Sequence, residues 1–128
     1  MFKPSSLALL TLVVFTTLPV LSRAGGHGVP AMAEVVVNLQ HFPSDEQKAA
    51  LAKIADDSSY SEAERQVATA ISNLAHKVSA EDSERLAAIA ANESLHESLR
   101  TLAKVLIGIN HMPSADDKAT LASLSAAH

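Results

Sequence analysis

The sequence predicts an all-α fold of about three stacked antiparallel helical hairpins with a 35-residue repeat, forming a short α-solenoid or a compact six-helix bundle. Three observations lead to this prediction: an internal repeat, capping residues at matching places in each unit, and apolar residues spaced three and four apart. The chain has 128 residues and no cysteine. That length fits one domain, whose stability must come from packing without disulfides.

The repeat is visible when residues 38–55 are aligned with residues 73–90, where 9 of 18 positions are identical. Residues 108–125 match the first segment at 7 of 18 positions. Unrelated segments of ordinary composition share about one or two positions over this length. Residues 33–39 also align with residues 68–74, so the N-terminal unit looks truncated.

The apolar spacing places six helices, alternately longer and shorter, joined by brief turns that make neighbours antiparallel. The clearest apolar seam steps by four and three residues along the fifth helix: Leu95, Leu99, Leu102, Leu106 and Ile109. The predicted helices cover about residues 30–41, 45–56, 60–77, 80–91, 95–111 and 115–126. Three units are near the minimum for a stable array.

Serines mark the expected helix starts. One serine precedes each shorter helix, with two acidic residues in the next three positions: Ser44, Ser79 and Ser114. A serine oxygen there accepts an unpaired backbone N–H, and the acids suit the positive end of the helix dipole. For the third and fifth helices, the S-x-x-E pattern predicts capping boxes of Ser59 with Glu62 and of Ser94 with Glu97.

The first 24 residues have the pattern of a cleaved export signal. Lys3 gives the positive start, residues 7–21 are apolar except for three threonines and Pro19, and small residues precede a cleavage point after Ala24. We therefore expect a periplasmic or secreted protein with no integral membrane segment after cleavage. The predicted organisation is a signal at 1–24, a flexible glycine-rich N-terminus at 25–29 and a helical-repeat domain at 30–128.

Composition and motifs narrow the function classes. The net charge is −4 and becomes more negative when Lys3 and Arg23 leave with the signal, so nucleic acid is not expected as a partner. The sequence has no phosphate-binding loop, no nucleophile elbow and no cysteine nucleophile. We expect no enzyme but an interaction scaffold that binds a protein partner or associates with itself, as helical-repeat arrays generally do.

A second function comes from the mature N-terminus. Cleavage after Ala24 would expose Gly25-Gly26-His27, which resembles the amino-terminal copper- and nickel-binding motif with histidine third. An amine, two amides and an imidazole can surround Cu(II) or Ni(II) in a plane, and the glycines leave that plane unobstructed. The alternative interpretation of these glycines is a flexible spacer.

One repeat position is occupied by histidine in every unit: His41, His76 and His111. At a helix C-terminus an imidazole N–H can bond a terminal carbonyl, which predicts a capping role. The alternative is metal ligation. Stacked units would place the three histidines along one edge, on helices about 8–10 Å apart, so two of them but not all three could share an ion.

Overall fold

The computed structural model describes residues 26–126, which form six α-helices. They are α1 (Val29–Val37), α2 (Asp45–Ala55), α3 (Glu62–Ser72), α4 (Ala80–Ala91), α5 (Glu97–Gly108) and α6 (Ala115–Ala126). The predicted all-helical class is confirmed. The predicted signal and its cleavage point lie outside the described residues. Within residues 26–126, no helix has the length and apolar character needed to cross a membrane.

Helix packing closes the repeat into a bundle. The main helix pairs are α2 with α3, α4 with α5, and α1 with α6. The first two pairs are continuous hairpins, whereas the third joins the two ends of the described chain. Helices α1, α3 and α5 also contact one another, so they form an inner set that α2, α4 and α6 cover. The truncated first unit is thereby explained, because α1 completes the hairpin that α6 begins.

The core follows the inner helices. Ala33, Ala68 and Ala103 occupy one repeat position on α1, α3 and α5, and all three are fully buried. Small side chains there let the inner helices approach closely. Each outer helix contributes a leucine at one equivalent buried position: Leu51, Leu86 and Leu121. Burying a leucine side chain stabilises the fold by about 1.5–3 kcal/mol, so these contacts hold the outer layer on the inner one.

The outer helices begin where the sequence predicted. Their serines each accept a backbone N–H from three residues on, at 3.1–3.2 Å: Ser44, Ser79 and Ser114. For α3, however, the predicted start at Ser59 is wrong. The cap is Ser61, whose Oγ accepts the Glu64 amide at 3.1 Å, while the Glu64 carboxylate accepts the Ser61 amide at 3.0 Å. The pattern S-x-x-E occurs twice in this stretch, and the second occurrence forms the box.

The predicted start of α5 at Ser94 is also wrong. The amide of Ser94 donates to the side chain of Asn92 at 3.0 Å, which makes a turn rather than a helix start. Helix α5 begins after His96, whose Nδ1 accepts the Ser98 amide at 3.1 Å. An imidazole nitrogen therefore takes the place of the usual serine oxygen.

Candidate metal centre

Three equivalent loops connect the inner helices to the outer helices at one end of the bundle. They cover residues 38–44, 73–79 and 109–114. The inner helices end at Val37, Ser72 and Gly108, three or four residues before the repeated histidines. The predicted role of these histidines as helix C-caps is therefore not what the structure shows. They lie in the loops, beyond the last helical turn.

Each repeated histidine has a positive φ: 71° at His41, 69° at His76 and 72° at His111. At the first of them, the Phe42 amide donates to the Gln40 carbonyl at 2.7 Å. A bond across a single residue of positive φ defines the strained form of the γ-turn. A left-handed backbone costs a non-glycine residue about 1–2 kcal/mol, so every unit stores strain at its histidine.

A closed ring of backbone hydrogen bonds joins the three turns. The His76 amide donates to the His41 carbonyl at 2.7 Å, and the His41 amide donates to the His111 carbonyl at 2.9 Å. The His111 amide donates to the His76 carbonyl and completes the ring. Each unit thus supplies one donor and one acceptor, as expected around an approximate threefold axis. The predicted arrangement of the histidines along one edge is wrong, because the bundle wraps the units around this axis.

The three imidazoles meet on that axis and are called the histidine triad below: His41, His76 and His111. Their ring centroids lie 4.8–5.6 Å apart. Nδ1 of His76 and Nδ1 of His111 are 3.0 Å apart, and one ring nitrogen from each of the three lies within 4.8 Å of the others. Metal–nitrogen bonds of 2.0–2.1 Å in a tetrahedron place ligand nitrogens about 3.3 Å apart. All three histidines are brought together, contrary to the expected spacing along one edge, but a third nitrogen up to 4.8 Å away must move closer before it can share one ion with the His76–His111 pair.

Charge at this end of the bundle favours a cation. The helix dipoles contribute little to it, because the C-termini of α1, α3 and α5 and the N-termini of α2, α4 and α6 meet at this end and their opposite partial charges offset one another. The outer helices begin at the same end, each with two acids in its first turn: Asp45, Glu46, Glu81, Asp82, Asp116 and Asp117. Clustered negative potential raises the local concentration of cations. Among the described residues, the candidate ligand group itself contains only the three histidines.

The opposite end of the bundle holds His27, the histidine of the predicted N-terminal copper motif. Its ring stacks on Tyr60, with the ring centroids 4.7 Å apart and the planes 19° from parallel. The structure does not bring His27 to the triad. Gly25, which would supply the amine, lies outside the described residues, so the planar copper or nickel site remains a prediction.

The glycines beside His27 pack closely against other side chains. A Cβ added at Gly26 would lie 3.0 Å from the His96 ring, and one at Gly28 would lie 2.9 Å from Glu64 and 3.0 Å from Tyr60. Gly28 is itself buried. The sequence predicts a flexible segment at residues 25–29. In the described part of that segment, close approach to neighbouring side chains accounts for the glycines.

Glu64 is a buried carboxylate that the sequence analysis did not single out. It is 0% exposed and accepts the Gly28 amide at 2.7 Å as well as the amide and hydroxyl of Ser61 at 3.0 and 3.1 Å. One side chain therefore caps α3 and fixes the chain entering α1. The second S-x-x-E pattern was the signal that could have revealed it.

No protein-family model, curated protein or solved structure matches this chain. Function is therefore inferred from the geometry of the chain's own residues.

Proposed function

We propose that the protein binds one divalent transition-metal ion through the histidine triad. The supporting observation is that one ring nitrogen from each of His41, His76 and His111 lies within 4.8 Å of the other two. Imidazole nitrogen is a ligand for zinc, copper and nickel, and three such ligands with an open fourth position suit tetrahedral zinc.

The choice of residue at the strained position supports this proposal. Glycine would adopt the positive φ without steric cost, and asparagine would adopt it more easily than most residues. Histidine nevertheless occupies all three positions, although half of the 18 positions aligned between residues 38–55 and 73–90 differ. Backbone strain is characteristic of ligand clamps, where surrounding structure holds residues in place. Histidine is itself enriched among non-glycine residues of positive φ, so the recurrence supports the proposal only together with the meeting of the three rings.

Two further sequence-based expectations remain predictions. A role as an exported interaction scaffold is supported by Phe42 and Met112, whose side chains are 59% and 46% exposed beside the triad. The N-terminal copper or nickel site requires an exported chain that begins at Gly25, which the intact mass of the mature protein would test. Neither role competes with metal binding at the triad, because each uses other groups.

Zinc titration of the purified protein by calorimetry tests the proposal. We expect one equivalent to bind, with at least 100-fold weaker binding in His76→Asn, because that substitution removes one of three ligands. Asparagine tolerates the left-handed backbone, so the loop keeps its conformation. His96→Asn is the matched control, since it replaces an exposed histidine at the other end and retains a capping acceptor. Equal zinc affinity in the parent protein and His76→Asn would overturn the proposal.

Zinc should also stabilise the fold. A ligand that binds only the folded state at 100 times its Kd raises the free energy of unfolding by about 2.7 kcal/mol. The effect should disappear in His76→Asn, and it should weaken as pH falls because protons compete for ligating imidazole nitrogens. Thermal unfolding with and without zinc measures this linkage. A melting temperature that zinc leaves unchanged at saturating concentration would contradict the prediction.

A further inference from the structure

Two cavities adjoin between α3 and α4, and no residue of the triad loops lines either of them. Their volumes are about 470 and about 410 Å³. Cavities that hold small molecules usually measure about 300–1,000 Å³. Glu62, Gln66 and Arg85 line both cavities, which therefore form one continuous groove, called the α3–α4 groove below.

The two parts of the α3–α4 groove differ in chemistry. Arg65 and Arg85 both line the smaller part, so two guanidinium-bearing side chains border one cavity. The larger part is lined mainly by apolar side chains from α4 and the turn after it, which include Ala88, Ile89 and Leu95. Guanidinium pairs with carboxylate through parallel N–H···O bonds, and apolar walls favour hydrocarbon. A ligand that suits both parts joins a carboxylate to an apolar chain.

Arg65 is half-buried, and one of its side-chain donors has no partner. Its Nε is buried without a hydrogen bond, and neither ion pair among residues 26–126 involves it. Buried donors in folded proteins are nearly always paired. Arg85, by contrast, already donates to Asp82 at 3.0 Å and to Glu81 at 3.1 Å. Arg65 is therefore the main positive charge that the groove offers to a ligand.

The repeat provides a second cavity for comparison. The cavity between α5 and α6 occupies the equivalent place, but it is lined by Thr120 at the position of Arg85. Arg100 is the equivalent of Arg65 and also has an unpaired Nε, yet it does not line that cavity. An unpaired Nε therefore does not distinguish the two grooves. The pair of arginines on one cavity does.

We propose that the α3–α4 groove binds a monocarboxylate with an unbranched apolar chain, a function separate from metal binding at the triad. The carboxylate pairs with Arg65, Arg85 adds a second positive charge, and the chain lies in the apolar part. Glu62 lines both parts, and its carboxylate accepts the Gln66 amide at 3.3 Å. The negative charge of Glu62 favours a monoanion over a phosphate dianion, because like charges repel.

Calorimetric titration of the metal-free protein with octanoate tests the inference. We expect one equivalent to bind with a Kd below about 1 mM. 1-Octanol, which has the same chain without the charge, should bind at least tenfold more weakly. Arg65→Gln should weaken octanoate binding at least tenfold, and Arg85→Thr, which copies the α5–α6 cavity, about threefold. Glu62→Gln should tighten it, and Arg100→Gln is the matched control that should leave it unchanged.

Several outcomes would contradict the inference. They are the lack of octanoate binding below about 1 mM, equal binding of octanoate and 1-octanol, and equal weakening in Arg65→Gln and Arg100→Gln. If circular dichroism shows that Arg65→Gln does not fold, the exposed positions decide. Weaker binding in Arg85→Thr with tighter binding in Glu62→Gln would then support the inference, and unchanged affinity in both would overturn it.

Discussion

The repeated units are more alike at one end of the bundle than at the other. At the triad end, three equivalent loops carry the same residue in the same strained conformation and share one ring of hydrogen bonds. At the other end, the inner helices begin after three different residues, Gly28, Ser61 and His96. Several residue types can begin a helix, so those positions are free to diverge. The three loops have stayed equivalent because their histidines meet at one point on the threefold axis.

The ends also differ in how their polar groups are satisfied. Glu64 is fully buried and accepts three hydrogen bonds, which stabilises the junction of α1 and α3. The triad is exposed, strained and formed of groups with the same chemistry. Functional sites commonly lower the stability of the folded protein. This contrast predicts that substitutions at one end weaken the fold, whereas substitutions at the other end remove metal binding.

The largest effect on stability should come from Glu64→Ala. The change leaves the buried amide of Gly28 and the half-buried amide of Ser61 without an acceptor and opens a cavity, so we expect a loss of about 3 kcal/mol. Urea unfolding measures it. Glu62→Ala is the matched control, because Glu62 lies in the same first turn but is exposed, and its loss should stay within about 0.5 kcal/mol. Equal losses in both variants would deny Glu64 its structural role.

A pair of glycines sharpens the comparison. Gly28→Ala should cost about 1–3 kcal/mol, because the new Cβ would meet Glu64 at 2.9 Å and Tyr60 at 3.0 Å. Gly108→Ala should stabilise the protein by up to about 1 kcal/mol, since it lies in α5 with nothing within 4 Å of the new Cβ. Thermal or urea unfolding gives both values. The prediction fails if the two variants shift stability in the same direction.

The smallest effect on stability, and an opposite effect on function, should come from His76→Gly. Glycine relieves the positive φ at this position but loses more entropy on folding, so the metal-free variant should gain up to about 1 kcal/mol. Zinc binding should be lost. Unfolding of the metal-free protein and zinc titration provide the two readouts. A loss of more than 1 kcal/mol would show instead that the imidazole holds the loop together.

The sequence placed the outer helices well because their starts carry local signals. Ser44 and its equivalents lie next to the helices that they cap, so the capping residue and the start of its helix are visible together in one short stretch of sequence. The sequence predicted the C-terminal ends of the inner helices three to five residues beyond where they lie, at Val37, Ser72 and Gly108. Leu39, Leu74 and Ile109 continue the apolar spacing beyond each helix end and are 2% exposed. Regular apolar spacing indicates which residues are buried, and here the buried residues continue past the end of each inner helix into the loop.

By itself, the sequence determined the helical class, the repeat and the equivalence of His41, His76 and His111, since each follows from local spacing. Only the tertiary structure decided that these residues meet. Packing of α1 on α6 closes the array, and that pairing joins residues at opposite ends of the described chain. Local apolar spacing states which face of a helix is buried, but not how far each unit turns relative to the next. The closure turns a linear series of histidines into one cluster.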